Sequence, residues 1–126
     1  MSIKLEKNNI INLSEEIIKR VEAIAQSHFY TTQSELYYED HTPLVAYLIK
    51  SGRGKLFKKR RKEILLGPGN LIGLVELMNS EPSTYGAQIE AHSTLLFLDR
   101  STILEIIEHK IDNNLTSLFN DLLIHA

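Results

Sequence analysis

Residues able to do chemistry gather in two stretches of this 126-residue chain. The first covers residues 65–91, LLGPGNLIGLVELMNSEPSTYGAQIEA. Backbone amides around Gly73, Leu74, Val75, Glu76 and Leu77, and around Ser83, Thr84, Tyr85, Gly86 and Ala87, can face one concavity there. Clustered amides of this kind are natural partners for a phosphate, although apolar packing can fill the same space. Glu76, Ser83 and Thr84 add a carboxylate and two hydroxyls. If the short helix carrying it is rotated, Glu76 reaches a sugar hydroxyl; otherwise it is expected to face solvent.

The second stretch is basic. Of 14 Lys and Arg residues, eight fall between residues 50 and 62 (Lys50, Arg53, Lys55, Lys58, Lys59, Arg60, Arg61 and Lys62), leaving six to face all 16 carboxylates. The chain is thus an acidic body with one basic ribbon. Its tip, Lys58, Lys59, Arg60, Arg61 and Lys62, suits an acidic partner, nucleic acid or a membrane surface, and equally serves to blunt a sheet edge. Phe57 is the only nearby aromatic and no reading helix follows, so specific nucleic-acid binding is not expected.

Other chemistries find no footing. The five histidines include no His-x-His pair, and His28, His109 and His125 fall near expected helix ends, where imidazole is favoured for ordinary reasons. There is no cysteine, hence no disulfide, thiolate metal site or cysteine nucleophile. No serine sits in a nucleophile-elbow context. No catalytic residue, metal or cofactor is expected. No apolar run approaches the roughly 18 residues of a membrane span, and the start MSIKLEKNNI lacks a signal-peptide core, which makes a cytoplasmic protein the expectation.

The elements that must position these residues can be read from periodicity. Ser14 is a candidate N-cap before Glu15 and Glu16, and Ile17, Ile18, Val21, Ile24 and Ala25 recur at helical spacing, which predicts a helix over 14–28. From Phe29 the period shortens. Strands are predicted at 29–32, 35–38, 44–49, 53–57, 63–66, 71–72, 85–89 and 94–98, with 58–62 as a hairpin tip. Tyr37, Tyr38, Tyr47 and Leu48 are expected in or beside the core. In Gly67-Pro68-Gly69-Asn70, proline sets φ at the first turn position and the second glycine supplies the positive φ of a type II turn. Val75 to Met78 can form one helical turn before Pro82. Asp99 or Ser101 caps a helix carrying Ile103, Leu104, Ile106 and Ile107, and a second follows from about Asp112 to Ile124.

Taken together, the stretch resembles the phosphate-binding cassette of cyclic-nucleotide-binding domains, as in catabolite activator proteins and the regulatory subunits of cyclic-AMP-dependent kinase. The family pattern is a Pro-Gly turn, Phe-Gly-Glu-Leu, a few helical residues, and Pro-Arg-x-Ala before the last strands. GPGN, Leu71-Ile72-Gly73, Leu77-Met78 and Ala87-Gln88-Ile89-Glu90-Ala91 match it, and the likeness extends over about residues 30–109. The resemblance implies one domain over 1–126 of mainly β, α+β class: an eight-stranded antiparallel jelly-roll barrel at 29–98, an N-terminal helix at 14–28 and C-terminal helices at 100–124.

Two positions depart from the pattern. The glutamate that takes the ribose hydroxyl in the family is Leu74 here, with Glu76 two places on. The arginine that neutralises the cyclic phosphate should fall among Ser83, Thr84 and Tyr85, none of which is a cation. Losing that charge-assisted contact removes roughly 1.5–3 kcal/mol, so tight cyclic-AMP binding is not expected. The chain is also expected to lack the family's long lid helix and a DNA-reading helix-turn-helix. The leading expectation is a stand-alone, non-catalytic regulatory domain working through another protein or a different anionic ligand. A true cyclic mono- or dinucleotide sensor using Glu76, Ser83 and Thr84, and an accessory protein docking an acidic partner through the hairpin at 50–62, are the alternatives.

Overall fold

A computed structural model of the chain describes residues 9–59 and 62–124. Among the described residues, nine strands and four helices follow in the order β1 (Ile11–Asn12), α1 (Glu15–Glu22), β2 (Gln26–Tyr30), β3 (Ser34–Tyr37), β4 (Ala46–Ser51), β5 (Gly54–Lys58), β6 (Lys62–Leu66), β7 (Asn70–Ile72), α2 (Leu74–Asn79), β8 (Gly86–Ile89), β9 (Ser93–Leu98), α3 (Arg100–His109) and α4 (Asn113–Ile124). The strands form two antiparallel sheets, β1-β7-β4-β9-β2 and β3-β8-β5-β6. This is a jelly-roll-like arrangement of mainly β character, with helices gathered on one side.

Alternation along the central strands creates two cores. On β4, Ala46 and Leu48 join a cluster with Val21, Ile103, Ile106, Leu115 and Phe119 from the helices. Tyr47 and Ile49 point the other way, into a cluster between the sheets with Tyr37, Leu56, Ile72 and Ile89. A sheet covered on both faces must be apolar at every position, which is why 46–49 reads as an unbroken apolar run. Leu44, expected in that strand, lies outside it and is 86% exposed.

The turn before the site has the predicted form. Asn70 N–H donates to Gly67 O at 3.1 Å, and Gly69 has φ of +94°. Gly69 also donates to Ile49 O and accepts from Leu13, which fastens the turn to β4 and to the segment before α1.

The N-terminal helix is shorter than 14–28. Ser14 Oγ accepts from Ile17 N–H as expected, but α1 ends at Glu22, where Ile24 and Ala25 both donate to Val21 O. Residues 26–30 are instead strand β2, paired with β9, because the hydrogen-bonding edge of β9 outweighs continued helical spacing. His28 is therefore a strand residue, stacked on Phe97 with ring centroids 3.9 Å apart, and not a helix-end imidazole. Asp99 caps α3 by accepting from Thr102 N–H at 2.7 Å.

Candidate functional site

Gly73 starts the site. Its φ of +82° turns the chain out of β7 and into the six-residue α2, and a Cβ added there would meet Val45 O and the Pro43 ring at ordinary contact distance. From there α2 splits its residues between two environments. Leu74 and Leu77 enter the core cluster shared with the helices, so Leu74, at the position of the family's sugar-binding glutamate, is a packing residue. Val75 is buried as well.

Glu76 is the unexpected member. It is only 4% exposed, which corrects the expectation that it faces solvent. Its Oε2 lies 3.4 Å from the Ser83 hydroxyl, and its Oε1 is buried without a hydrogen-bond partner among the described residues. Burial raises its proton affinity above that of an ordinary glutamate, with Glu81 adding to the effect. Its own backbone N–H and the side chains of Asn9 and Ser83 oppose the rise. Tyr37 closes the cluster from β3: burial first, and then the Glu76 charge, push its phenol above its usual range, while Ser83 draws it back.

The loop opposite is occupied by its own bonds. Ser83 N–H donates to His41 O at 2.9 Å, and Ser83 O accepts from Asp40 N–H at 2.8 Å. Tyr85 N–H donates to Ser83 Oγ at 3.2 Å, and the Ser83 hydroxyl lies 2.8 Å from Tyr85 O. Gly86 and Ala87 belong to β8, in register with β5 and, at Ala87, with β3. On the other side, Leu77 N–H donates to Gly73 O within α2. The amides of Leu77, Ser83 and Tyr85 are thereby already engaged.

The structure thus brings together Glu76, Ser83 and part of Tyr85, which is half-buried against the inter-sheet core. Thr84 is exposed and takes no part in the cluster. Gly86 is overlaid by the Phe57 ring, whose nearest atom would stand 2.8 Å from a Cβ added there. The basic residues Lys58, Lys59 and Lys62 lie elsewhere, on the β5–β6 hairpin, and Arg60 and Arg61 lie outside the described residues.

Three residues that periodicity did not single out matter here. Tyr37 was recognisable only as a core aromatic, and Asn9, in a left-handed backbone conformation, gave no signal. Arg100 donates from its guanidinium to Leu77 O, Met78 O and Ser80 Oγ, satisfying the open carbonyls at the end of α2. Among the described residues, no three of His, Cys, Asp or Glu come together as a metal site, and no helix is long and apolar enough to cross a membrane.

The comparisons agree on the architecture. The sequence model of the cyclic nucleotide-binding domain matches residues 27–110. Among solved structures, the catabolite activator protein of Thermus thermophilus is 25% identical, with a TM-score of 0.68 over 89% of this chain, which spans 54% of the length of that one. A protein from a cyclic-GMP-dependent signalling pathway in bacterial phytopathogenesis aligns over 90% of this chain and 92% of its own, with 17% identity and a TM-score of 0.76. The regulator CLP of Xanthomonas campestris, described as c-di-GMP responsive, aligns over 88% and 56%, with 13% identity and a TM-score of 0.68. A search of curated proteins finds no match.

Proposed function

The chain belongs to the cyclic nucleotide-binding domain family, and from that premise we propose that it is a non-catalytic regulatory domain whose cassette has given up cyclic AMP. On this reading it signals through a protein partner, or through a ligand other than cyclic AMP. The observation that carries the proposal is Glu76: the loop in which the resemblance expects a cation has none, and its Ser83 hydroxyl lies beside a buried carboxylate.

A cyclic phosphodiester carries a full negative charge. Beside an ionised Glu76, at about 4 Å and an effective dielectric constant of about 20, it would meet a repulsion of roughly 4 kcal/mol. Protonating Glu76 removes the repulsion but supplies no positive charge. Ser83, Thr84 and Tyr85 cannot supply one either, and the Ser83 and Tyr85 amides are engaged in the loop itself.

Thermal denaturation in the presence of a nucleotide panel tests the proposal. Ligands that bind only the folded state raise the melting temperature, by an amount that grows with the logarithm of concentration over dissociation constant. Cyclic AMP and cyclic GMP are expected to leave it unchanged. A saturable rise with either would overturn the reading and favour a sensor that recruits Glu76 and Ser83 for the sugar. Because one fold relative is described as c-di-GMP responsive, the panel includes cyclic dinucleotides; a rise with one of these alone would identify the different ligand.

A further inference from the structure

The outer face of the β3-β8-β5-β6 sheet presents a groove that the cassette does not use. Along β5 the buried Leu56 alternates with Lys55 and Phe57, which face outward. Two clefts of about 430 and 540 Å³ meet there at Lys55 and Gln88. Phe57, Lys58, Lys59 and Lys62 wall the first, while Arg53 and Leu65 stand at the second. Leu65 is 81% exposed, an apolar side chain set among cations.

We propose that this joined groove binds an extended acidic segment of a partner protein, with one apolar side chain of that segment seated on Leu65. The inference rests on the reading that the domain acts through a protein partner, and it names the surface and the chemistry of that partner. Charge is the first argument. Lys55 pairs with Glu63 at 2.9 Å and Arg53 lies 3.9 Å from Glu90, but Lys58, Lys59 and Lys62 form no ion pair among the described residues. Three uncompensated cations in one cleft, on a chain of net charge −2, select for an acidic surface.

Shape and surroundings narrow the occupant. Small-molecule sites are enclosed and mostly apolar, whereas this groove is open and lined by charged side chains. Its two connected clefts suit a chain in extended form. Nucleic acid fits less well, because the rings lining the two clefts are Phe57, which lies against Gly86, and His92 at the far end, too few for a series of stacked bases.

Fluorescence anisotropy with a labelled peptide of repeated Glu-Glu-Leu, at low and moderate salt, tests the groove. Saturable binding that weakens with salt is expected, reduced by about tenfold in K58E/K62E and severalfold in Leu65→Ser, with K19E/K110E close to the parent protein. Lys58 is half-buried and the other side chains changed are exposed, and unchanged melting curves establish that the variants fold. No saturable binding, an equal loss in K19E/K110E, or tighter binding of a labelled single-stranded oligonucleotide would each overturn the proposal. Failure here with a silent nucleotide panel removes the groove and leaves the cassette reading intact; nucleotide binding does the reverse.

Discussion

A carboxyl group enclosed by protein gives up its proton less readily than one in water, and Glu76 shows what that does to a folded domain. Its proton affinity is raised in the folded state, so the folded chain binds more protons than the unfolded one between the ordinary glutamate range and the raised value. Stability contributed by this group is fully present below that window and falls as pH rises through it. Replacing Glu76 with Gln abolishes the titration. The variant is expected to melt close to the parent protein near pH 4 and above it at neutral pH, by an amount corresponding to about 1–2 kcal/mol, or roughly 4 °C per kcal/mol. Melting curves across pH check this, and an unchanged or lowered melting temperature at neutral pH would show that the carboxylate is better satisfied than its geometry indicates. The absence of an arginine among Ser83, Thr84 and Tyr85 was legible from the chain alone. The burial of Glu76 was not, because a six-residue helix has too few turns for periodicity to fix which side faces the barrel.

The short helix α2 is held at both ends by features that can be tested separately. At its start, Gly73 adopts φ of +82° with room for a methyl group, so Gly73→Ala should cost about 1–2 kcal/mol from backbone strain alone and leave the fold intact. Chemical denaturation measures that loss. At its end, Arg100 gathers Leu77 O, Met78 O and Ser80 Oγ, which ties α2 to α3. Arg100→Ala leaves those acceptors to solvent and is expected to destabilise by about 1–2 kcal/mol, with amide exchange accelerated in residues 74–79 before the rest of the molecule. Uniform acceleration would show that the contact does not act on α2 in particular. Elements were legible where side-chain chemistry marks their ends: the Gly67 to Asn70 turn, the Ser14 cap and the Asp99 cap. The boundary between α1 and β2 was not, since Ile24 and Ala25 keep helical spacing and only the distant β9 decides that residues 26–30 extend as a strand.

At the scale of the molecule, one sheet serves two cores, and the cassette draws residues from both: Leu74 and Leu77 from one, Tyr37 and Ala87 from the other. The five-stranded sheet packs Leu48 and Leu96 with Phe119 of α4 on its helix-facing side, and Ile49 and Leu95 with Ile89 of the opposite sheet on its inner side. Arg20 to Asp112 at 3.1 Å links α1 to the start of α4, and Lys50 pairs with Glu22 to join α1 to β4. Both pairs orient α1; the exposed Lys50–Glu22 pair adds little stability, whereas the Arg20–Asp112 pair is part-buried. The fold class was legible because strand alternation, turn chemistry and charge placement all agree, whereas the cassette's interior depends on how Tyr37 and Ser83 meet across residues far apart in sequence. The cassette claim itself is tested most directly by isothermal titration of cyclic AMP into the parent protein at neutral pH. No saturable heat is predicted up to millimolar ligand, and a one-to-one isotherm with a micromolar or tighter dissociation constant would contradict it.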